Sequence, residues 1–180
     1  IVILSVPAKE YSNKVRLQAI EDKLVDLYKV ETVNGDLVEV DVTANNLNLV
    51  PEGLGSFLYT SGQNPDANLE KGLWVVLDLG YLTGGYTEFL NGVYVPDSPD
   101  SNDRLGMNYV SQRIADYIHG LGGPAMTAAY IEPMVNEPCI VLSDEPYQVA
   151  DEYHEAMTEL SNRVVEWVRR KTANKNVKGV

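Results

Sequence analysis

Cysteine, histidine and basic side chains are scarce in this 180-residue sequence, and each shortage excludes a class of protein. A single cysteine, Cys139, excludes an internal disulfide and a multi-cysteine zinc site. The two histidines, His119 and His154, lack the spacing of metal ligands, so we expect no histidine-based zinc or catalytic site. Lys and Arg total 14 against 26 Asp and Glu, and the net charge of −12 argues against direct binding of nucleic acid.

Long apolar runs are missing as well. No stretch approaches the roughly 20 apolar residues that a membrane-spanning helix needs. No signal peptide is visible, so we expect a cytoplasmic protein with no membrane partner. Hydrophobic residues nevertheless make up 44% of the chain, which is ordinary for a packed globular protein. The length allows one domain, or one domain with part of another.

Hydrophobic periodicity predicts both strands and helices along the chain. Leu17, Ile20, Leu24 and Leu27 fall three and four apart and predict a helix with one apolar face. Asn34-Gly35 is typical of a hairpin turn. We predict strands at 1–6, 38–42, 47–50, 74–78, 86–90, 93–95 and from 177, and helices at 17–27, 54–60, 105–120 and 147–171. The prolines at 133, 138 and 146 leave 125–146 unassigned, and turn-forming residues at 62–68 mark the best candidate boundary.

The most informative segment is the hairpin predicted around an acid and a group of glycines. An apolar strand, 74–77, delivers Asp78 to its end, and the chain returns at 86–90. The tight turn between them is rich in small residues: Gly80, Thr83, Gly84 and Gly85. Glycines let backbone N–H groups approach an anion closely, because no Cβ is in the way. An acid at the end of a strand can hold a hydrated magnesium ion beside phosphates.

Two interpretations of this segment are open. The first is a hairpin that binds phosphate and metal. The second is an ordinary β-hairpin whose buried strand ends in Asp-x-Gly.

Three short segments share their order and separation with one superfamily. Residues 3–11 run Ile-Leu-Ser-Val-Pro-Ala-Lys-Glu-Tyr, 50–56 run Val-Pro-Glu-Gly-Leu-Gly-Ser, and 77–83 run Leu-Asp-Leu-Gly-Tyr-Leu-Thr. Together they resemble the actin-like ATPases, and most of all the plasmid-segregating ParM/StbA branch, over most of 1–171. The first resembles an entry strand of those proteins, the second their inter-domain hinge segment, and the third their second phosphate hairpin.

The resemblance implies a fold that composition could not reveal. It implies the RNase H-like α/β fold of actin and heat-shock-chaperone ATPases, present in part, with ATP in a cleft between two domains. Residues 1–62 would be the end of the first domain with its hinge helix. Residues 63–180 would be the second, nucleotide-binding domain, truncated at its C-terminus.

The resemblance also implies roles for individual residues. Asp78 would hold Mg2+, directly or through water, and Glu52 would orient the water that attacks the γ-phosphate. The nucleotide would be ATP, with GTP left open. The phosphate-binding residues would be Gly80, Tyr81, Thr83, Gly84 and Gly85. An alternative role for Glu52 is that of a first-turn acid stabilising the short helix after Pro51.

The hairpin departs from the family pattern, which commonly runs Asp-x-Gly-x-x-Thr-Thr-Asp. Gly84 and Gly85 occupy the last two positions, so a hydroxyl and an acid are missing beside the phosphates. Their N–H groups could compensate, but hydrolysis could also be slow or lost. The family's other phosphate loop and its adenosine segment are not in the chain. We therefore expect the 180-residue piece alone to bind ATP weakly or not at all, and to be inactive.

Three functions follow from these observations. The leading hypothesis is a filament-forming ATPase that segregates or positions plasmid or phage DNA through a DNA-binding adaptor. The acidic charge agrees with contact through an adaptor rather than with DNA itself. One alternative is a non-polymerising ATPase of the same superfamily. The other is a structural scaffold with a degenerate nucleotide site, which Gly84 and Gly85 favour.

Overall fold

A computed structural model describes residues 1–63, 68–69 and 71–180. The chain divides into two compact units, which are described separately. Unit 1 comprises 1–76, 86–100 and 178–180, and unit 2 comprises 77–85 and 101–177. Among the helices of the described ranges, none combines the length and the apolar character needed to cross a membrane.

The described residues form both helices and strands, as the hydrophobic pattern predicts. The strands are β1 (Val2–Val6), β2 (Asp26–Glu31), β3 (Leu37–Val42), β4 (Leu47–Pro51), β5 (Leu73–Leu79), β6 (Gly84–Leu90), β7 (Val93–Tyr94), β8 (Asp100–Asn102), β9 (Cys139–Leu142), β10 (Glu145–Gln148) and β11 (Val177–Gly179). The helices are α1 (Ala8–Tyr11), α2 (Lys14–Leu24), α3 (Leu54–Gln63), α4 (Asn108–Gly120), α5 (Ala128–Ile131) and α6 (Ala150–Thr172). A short 3-10 turn, Glu132–Met134, follows α5.

The first half of unit 1 is built on a parallel strand pair. β1 runs beside β4, with Val2 opposite Leu47 and Val6 opposite Pro51. Pro7 ends β1 and precedes α1. Asn13 caps α2, because its side chain accepts a hydrogen bond from the N–H of Arg16.

The predicted hairpin around Asn34-Gly35 is confirmed. β2 and β3 pair antiparallel, and the N–H of Thr32 donates to the carbonyl of Asp36 across the turn at 2.8 Å. The predicted helix 17–27 is wrong in its extent, because α2 ends at Leu24 and Leu27 lies on β2. Its predicted apolar face is not buried, since no residue of α2 falls in the buried class.

The core of unit 1 forms where α3 packs on the hairpin of β5 and β6. The rings of Phe57 and Phe89 stack with centroids 4.3 Å apart. Leu69 is buried beside them, and Trp74 and Val76 of β5 pack against the cluster. In the described residues, β5 and β6 belong to a five-stranded sheet of order β11-β5-β6-β7, with β8 also paired to β6. The unit boundary falls within β5 and β6, so these strands carry the chain from one unit into the other.

Unit 2 is organised around two long helices. α4 packs against α5 and α6, and its inward side chains at Val110, Ile114 and Ile118 are fully buried. The unassigned segment 125–146 contains α5 and most of the β9–β10 hairpin. The predicted helix at 147–171 is confirmed with shifted ends, since Tyr147 belongs to β10.

The predicted boundary at 62/63 stays a prediction. Residues 64–67, at the centre of the turn-rich segment on which it rests, lie outside the described residues.

Candidate functional site

The hairpin predicted from the glycine pattern is present, with a tighter turn than expected. β5 runs to Leu79, and the N–H of Gly80 donates to the carbonyl of Thr83 at 2.9 Å. Only Tyr81 and Leu82 lie between these two residues. Gly84 and Gly85 are not part of the turn, because they are the first residues of β6.

The turn is joined to the start of α4 by two backbone hydrogen bonds. The N–H of Met107 donates to the carbonyl of Gly80 at 3.0 Å, and the N–H of Asn108 donates to that of Tyr81 at 2.7 Å. These N–H groups lie at the N-terminus of α4, where backbone N–H groups have no acceptor within the helix. The carbonyls of the turn therefore supply acceptors for the first N–H groups of α4. The same two hydrogen bonds fix the position of the turn.

The N–H groups of the turn, unlike its carbonyls, make few hydrogen bonds within the protein. Among the hydrogen bonds of the described residues, the N–H groups of Tyr81, Leu82 and Thr83 donate to no acceptor. Leu82 and Thr83 are exposed. Successive N–H groups that lie open to solvent can receive an anion such as phosphate.

Asp78 lies exposed near the end of β5, as the sequence predicts. Gly85 is its neighbour on the returning strand, since a Cβ built on Gly85 would lie 3.5 Å from the Cβ of Asp78. Gly84 is buried, and its Cβ would lie 3.0 Å from the Cβ of Leu105.

Glu52 belongs to unit 1 and follows the parallel strand pair. Its N–H donates to the carbonyl of Val6 at 2.8 Å, and its side chain is half-buried. Gly53 comes next with φ +87°, a conformation that favours glycine, and its Cβ would lie 3.2 Å from Val76. Glu52 is thus held one residue ahead of a tight turn into α3.

A magnesium ion fits the donors of this hairpin only in company with phosphate. Within residues 1–63, 68–69 and 71–180, no three His, Cys, Asp or Glu side chains are grouped to hold a metal ion. Asp78 thus contributes one carboxylate and no protein cage. That donor set suits Mg2+, which usually keeps its waters and binds one or two carboxylates plus substrate phosphates.

The residues that hold the turn in place, Leu105 to Asn108, are not predicted as part of the site from sequence. The apolar spacing predicts Leu105 on a helix, whereas α4 begins at Asn108. Gly106 is buried directly against the turn. In the sequence, Gly106 is marked only as a glycine that follows a leucine after a polar loop. That pattern does not indicate which other part of the backbone Gly106 will contact.

Comparison with solved structures shows what this arrangement is similar to. The archaeal actin homologue Ta0583 matches 99% of this chain with a TM-score of 0.77 at 17% identity. A non-polymerisable quadruple mutant of pCBH ParM matches 97% with a TM-score of 0.73 at 15% identity. A 15-stranded ParM filament from Clostridium botulinum matches 98% with a TM-score of 0.72 at 15% identity.

These likenesses define the fold. The chain has an actin-like α/β fold, as the sequence resemblance predicts. It spans about half the length of these proteins, covering 58% of Ta0583 and 55% of each ParM chain. No protein-family model matches the sequence, and a comparison with curated proteins finds no match either.

Proposed function

We propose that this chain is part of an actin-like ATPase that binds Mg-ATP or Mg-GTP. The observation that carries the proposal is the hairpin of β5 and β6, which presents an exposed carboxylate beside a turn with open N–H groups. The fold likeness supports it, because Ta0583 has also been solved in complex with ADP and matches 94% of this chain in that form.

The proposed chemistry needs positioning and charge neutralisation more than covalent catalysis. Asp78 would hold the magnesium ion, directly or through a water molecule. The turn of Gly80, Tyr81 and Thr83 would face the β- and γ-phosphates. Because the N–H of Gly80 is bonded to Thr83, the N–H groups of Tyr81, Leu82 and Thr83 would bind them. Glu52 would orient the attacking water in the complete protein.

Gly84 and Gly85 have different places in this proposal. Gly85 adds no side chain next to Asp78, which would favour the approach of a hydrated ion and a phosphate oxygen. Gly84 is buried against Leu105, so its role is packing. The acid and the hydroxyl that related hairpins carry at these positions are missing, and we expect slow hydrolysis as a result.

For the whole protein we propose assembly into filaments that move plasmid or phage DNA in the cytoplasm through a DNA-binding adaptor. The similarity to a ParM filament structure supports the filament. The net charge of −12 supports an adaptor over direct contact with DNA. The alternative supported by a specific observation is a scaffold with a degenerate site, because Gly84 and Gly85 replace two polar residues.

The experiment that separates these functions is phosphate release by the full-length protein with Mg-ATP, measured over a range of protein concentrations. Activity that rises steeply above a threshold concentration supports hydrolysis triggered by assembly. Activity proportional to concentration indicates an ATPase that does not polymerise. No release, together with no binding of Mg-ATP in calorimetry, would support the scaffold.

The carboxylate at the end of β5 allows a direct test by mutation. In full-length protein, we expect Asp78→Ala to abolish Mg-dependent nucleotide binding and leave the melting temperature nearly unchanged, because the side chain is exposed. Asp41→Ala is the matched control, since Asp41 is also an exposed acid on a strand. Equal affinities for Mg-ATP in the two variants would contradict the role of Asp78.

A further inference from the structure

The start of α4 differs from a free helix N-terminus. Free N–H groups at such an end bind anions, because they lack acceptors and lie at the positive end of the helix dipole. In this chain the N–H groups of Met107 and Asn108 are already bonded to the carbonyls of Gly80 and Tyr81. The first turn of α4 therefore binds the hairpin turn rather than a ligand.

This contact depends on a residue without a side chain. A Cβ on Gly106 would lie 2.3 Å from the carbonyl oxygen of Tyr81 and 2.4 Å from the carbonyl carbon of Leu82. Both atoms belong to the backbone, so they cannot move away as the end of a flexible side chain could. Any other residue at 106 would push the turn of 80–83 away from α4.

The neighbouring contact has the same character. Gly84 would bring a Cβ to within 3.2 Å of the carbonyl oxygen of Leu105. Gly106 therefore packs against the turn, and Leu105 packs against the start of β6. Leu105 is itself buried, with 3% of its surface exposed.

From this geometry we propose that Gly106 is a positioning residue for nucleotide phosphate: it holds the 80–83 turn on α4 and so keeps the N–H groups of Tyr81, Leu82 and Thr83 available to the phosphates. The proposal rests on the proposed function, in which this turn binds the β- and γ-phosphates. Because the carbonyls of Gly80 and Tyr81 are bonded to the start of α4, their negative ends would be kept away from the phosphates. Gly106 itself touches no substrate.

The test compares two glycine-to-alanine variants in the same stretch of the full-length protein. Gly106→Ala forces the turn to move, whereas a Cβ on Gly120, the last residue of α4, meets no atom within 4 Å. Calorimetry with Mg-ATP, Mg-ADP and AMP is carried out on wild type and both variants. We expect Gly106→Ala to weaken Mg-ATP binding by roughly ten- to a hundredfold, the loss expected when a charge-assisted hydrogen bond to phosphate is broken. Mg-ADP should lose less, AMP nothing, and Gly120→Ala should match wild type.

This graded loss separates positioning from general destabilisation. A variant that is merely less folded loses affinity for all three nucleotides by one common factor. A common factor, or an unchanged affinity for Mg-ATP in folded Gly106→Ala, would overturn the proposal. If the wild type itself does not bind Mg-ATP, the proposed function fails first, and that result is distinct from either outcome.

Amide hydrogen exchange on the wild type gives a second test that needs no variant. The amides of Met107 and Asn108 should exchange slowly without nucleotide, because they are bonded to the turn. The amides of Leu82 and Thr83 should exchange fast and slow down when Mg-ADP is added. Fast exchange at Met107 and Asn108 in the free protein would contradict the contact on which the proposal depends.

Discussion

Helices α2 and α4 are similar in length, yet they differ in what covers them. α4 buries five of its side chains, among them Ile114 and Ile118 with no exposed surface. α2 buries none, and Val15 on its surface is 81% exposed. Intrinsic helix propensity does not explain this difference, because most of a protein helix's stability comes from packing of an apolar face.

The elements next to α4 and α2 differ in burial in the same way. α6 packs on α4 and buries Ala156, Leu160 and Val164. The β2–β3 hairpin, which follows α2 in the chain, buries only Val42 and exposes apolar side chains on both strands. The difference indicates that unit 2 contains the more stable local structure, whereas residues 14–42 have few buried contacts to hold them.

The largest effect should come from a truncation inside the helix pair. Ile114→Ala removes a fully buried side chain of α4 and should destabilise the protein by about 3 kcal/mol. Val15→Ala, on exposed α2, should change stability by less than about 0.5 kcal/mol. Chemical denaturation of both variants measures the difference. Equal losses would mean that α2 is covered in solution and would remove the contrast.

An ion-pair network across α4 and α6 should contribute less. The guanidinium of Arg113 bonds to Glu152 and, at 3.0 Å, to Glu159, while Arg163 pairs with Glu159 and stacks over Tyr109 at 4.2 Å. Because these groups are partly exposed, solvent screens them, and we expect Arg113→Ala to cost about 1 kcal/mol.

The surface pair of Arg170 and Glu166 is the matched control for that network. Its charged atoms are 3.8 Å apart and about two-thirds exposed. Arg170→Ala should therefore lie near zero in the same denaturation experiment. A loss as large as that of Arg113→Ala would show that the network adds nothing beyond an ordinary surface pair.

The same contrast explains which parts of the fold could be predicted from sequence. The spacing of apolar residues identified α4 and α6 because their stripes are buried, and burial is what selects such spacing. An equally regular stripe from Leu17 to Leu27 led to a helix that was too long, since Leu27 belongs to a strand. Periodicity indicates where a helix is possible, and the residues that cover it decide where it ends.

The candidate site shows a similar division. The hairpin, with Asp78 near the end of its first strand, is predictable because its signal lies within one short stretch of sequence. The predicted turn is too long, since Gly84 and Gly85 belong to β6. The contact of Gly106 with Tyr81 is not predictable, because it joins residues 25 positions apart through backbone atoms that carry no sequence signature. The roles of Glu52 and Asp78 in hydrolysis stay predictions.

The smallest expected effect is a dependence of the helix pair on pH. Hydrogen bonding by the Tyr109 hydroxyl, and then by Arg163, lowers the pKa of Glu159 below its usual value of 4.5. A carboxylate with a lowered pKa stabilises the folded state above its unfolded pKa, and that contribution is lost as the pH falls through the folded value. The melting temperature of wild type should therefore exceed that of Glu159→Gln by a constant amount near neutral pH. The difference should shrink below about pH 4.5.

Glu155→Gln, one turn earlier on α6, should have the melting temperature of wild type at every pH. A gap between wild type and Glu159→Gln that stayed constant down to pH 3 would show that Glu159 acts through packing rather than charge.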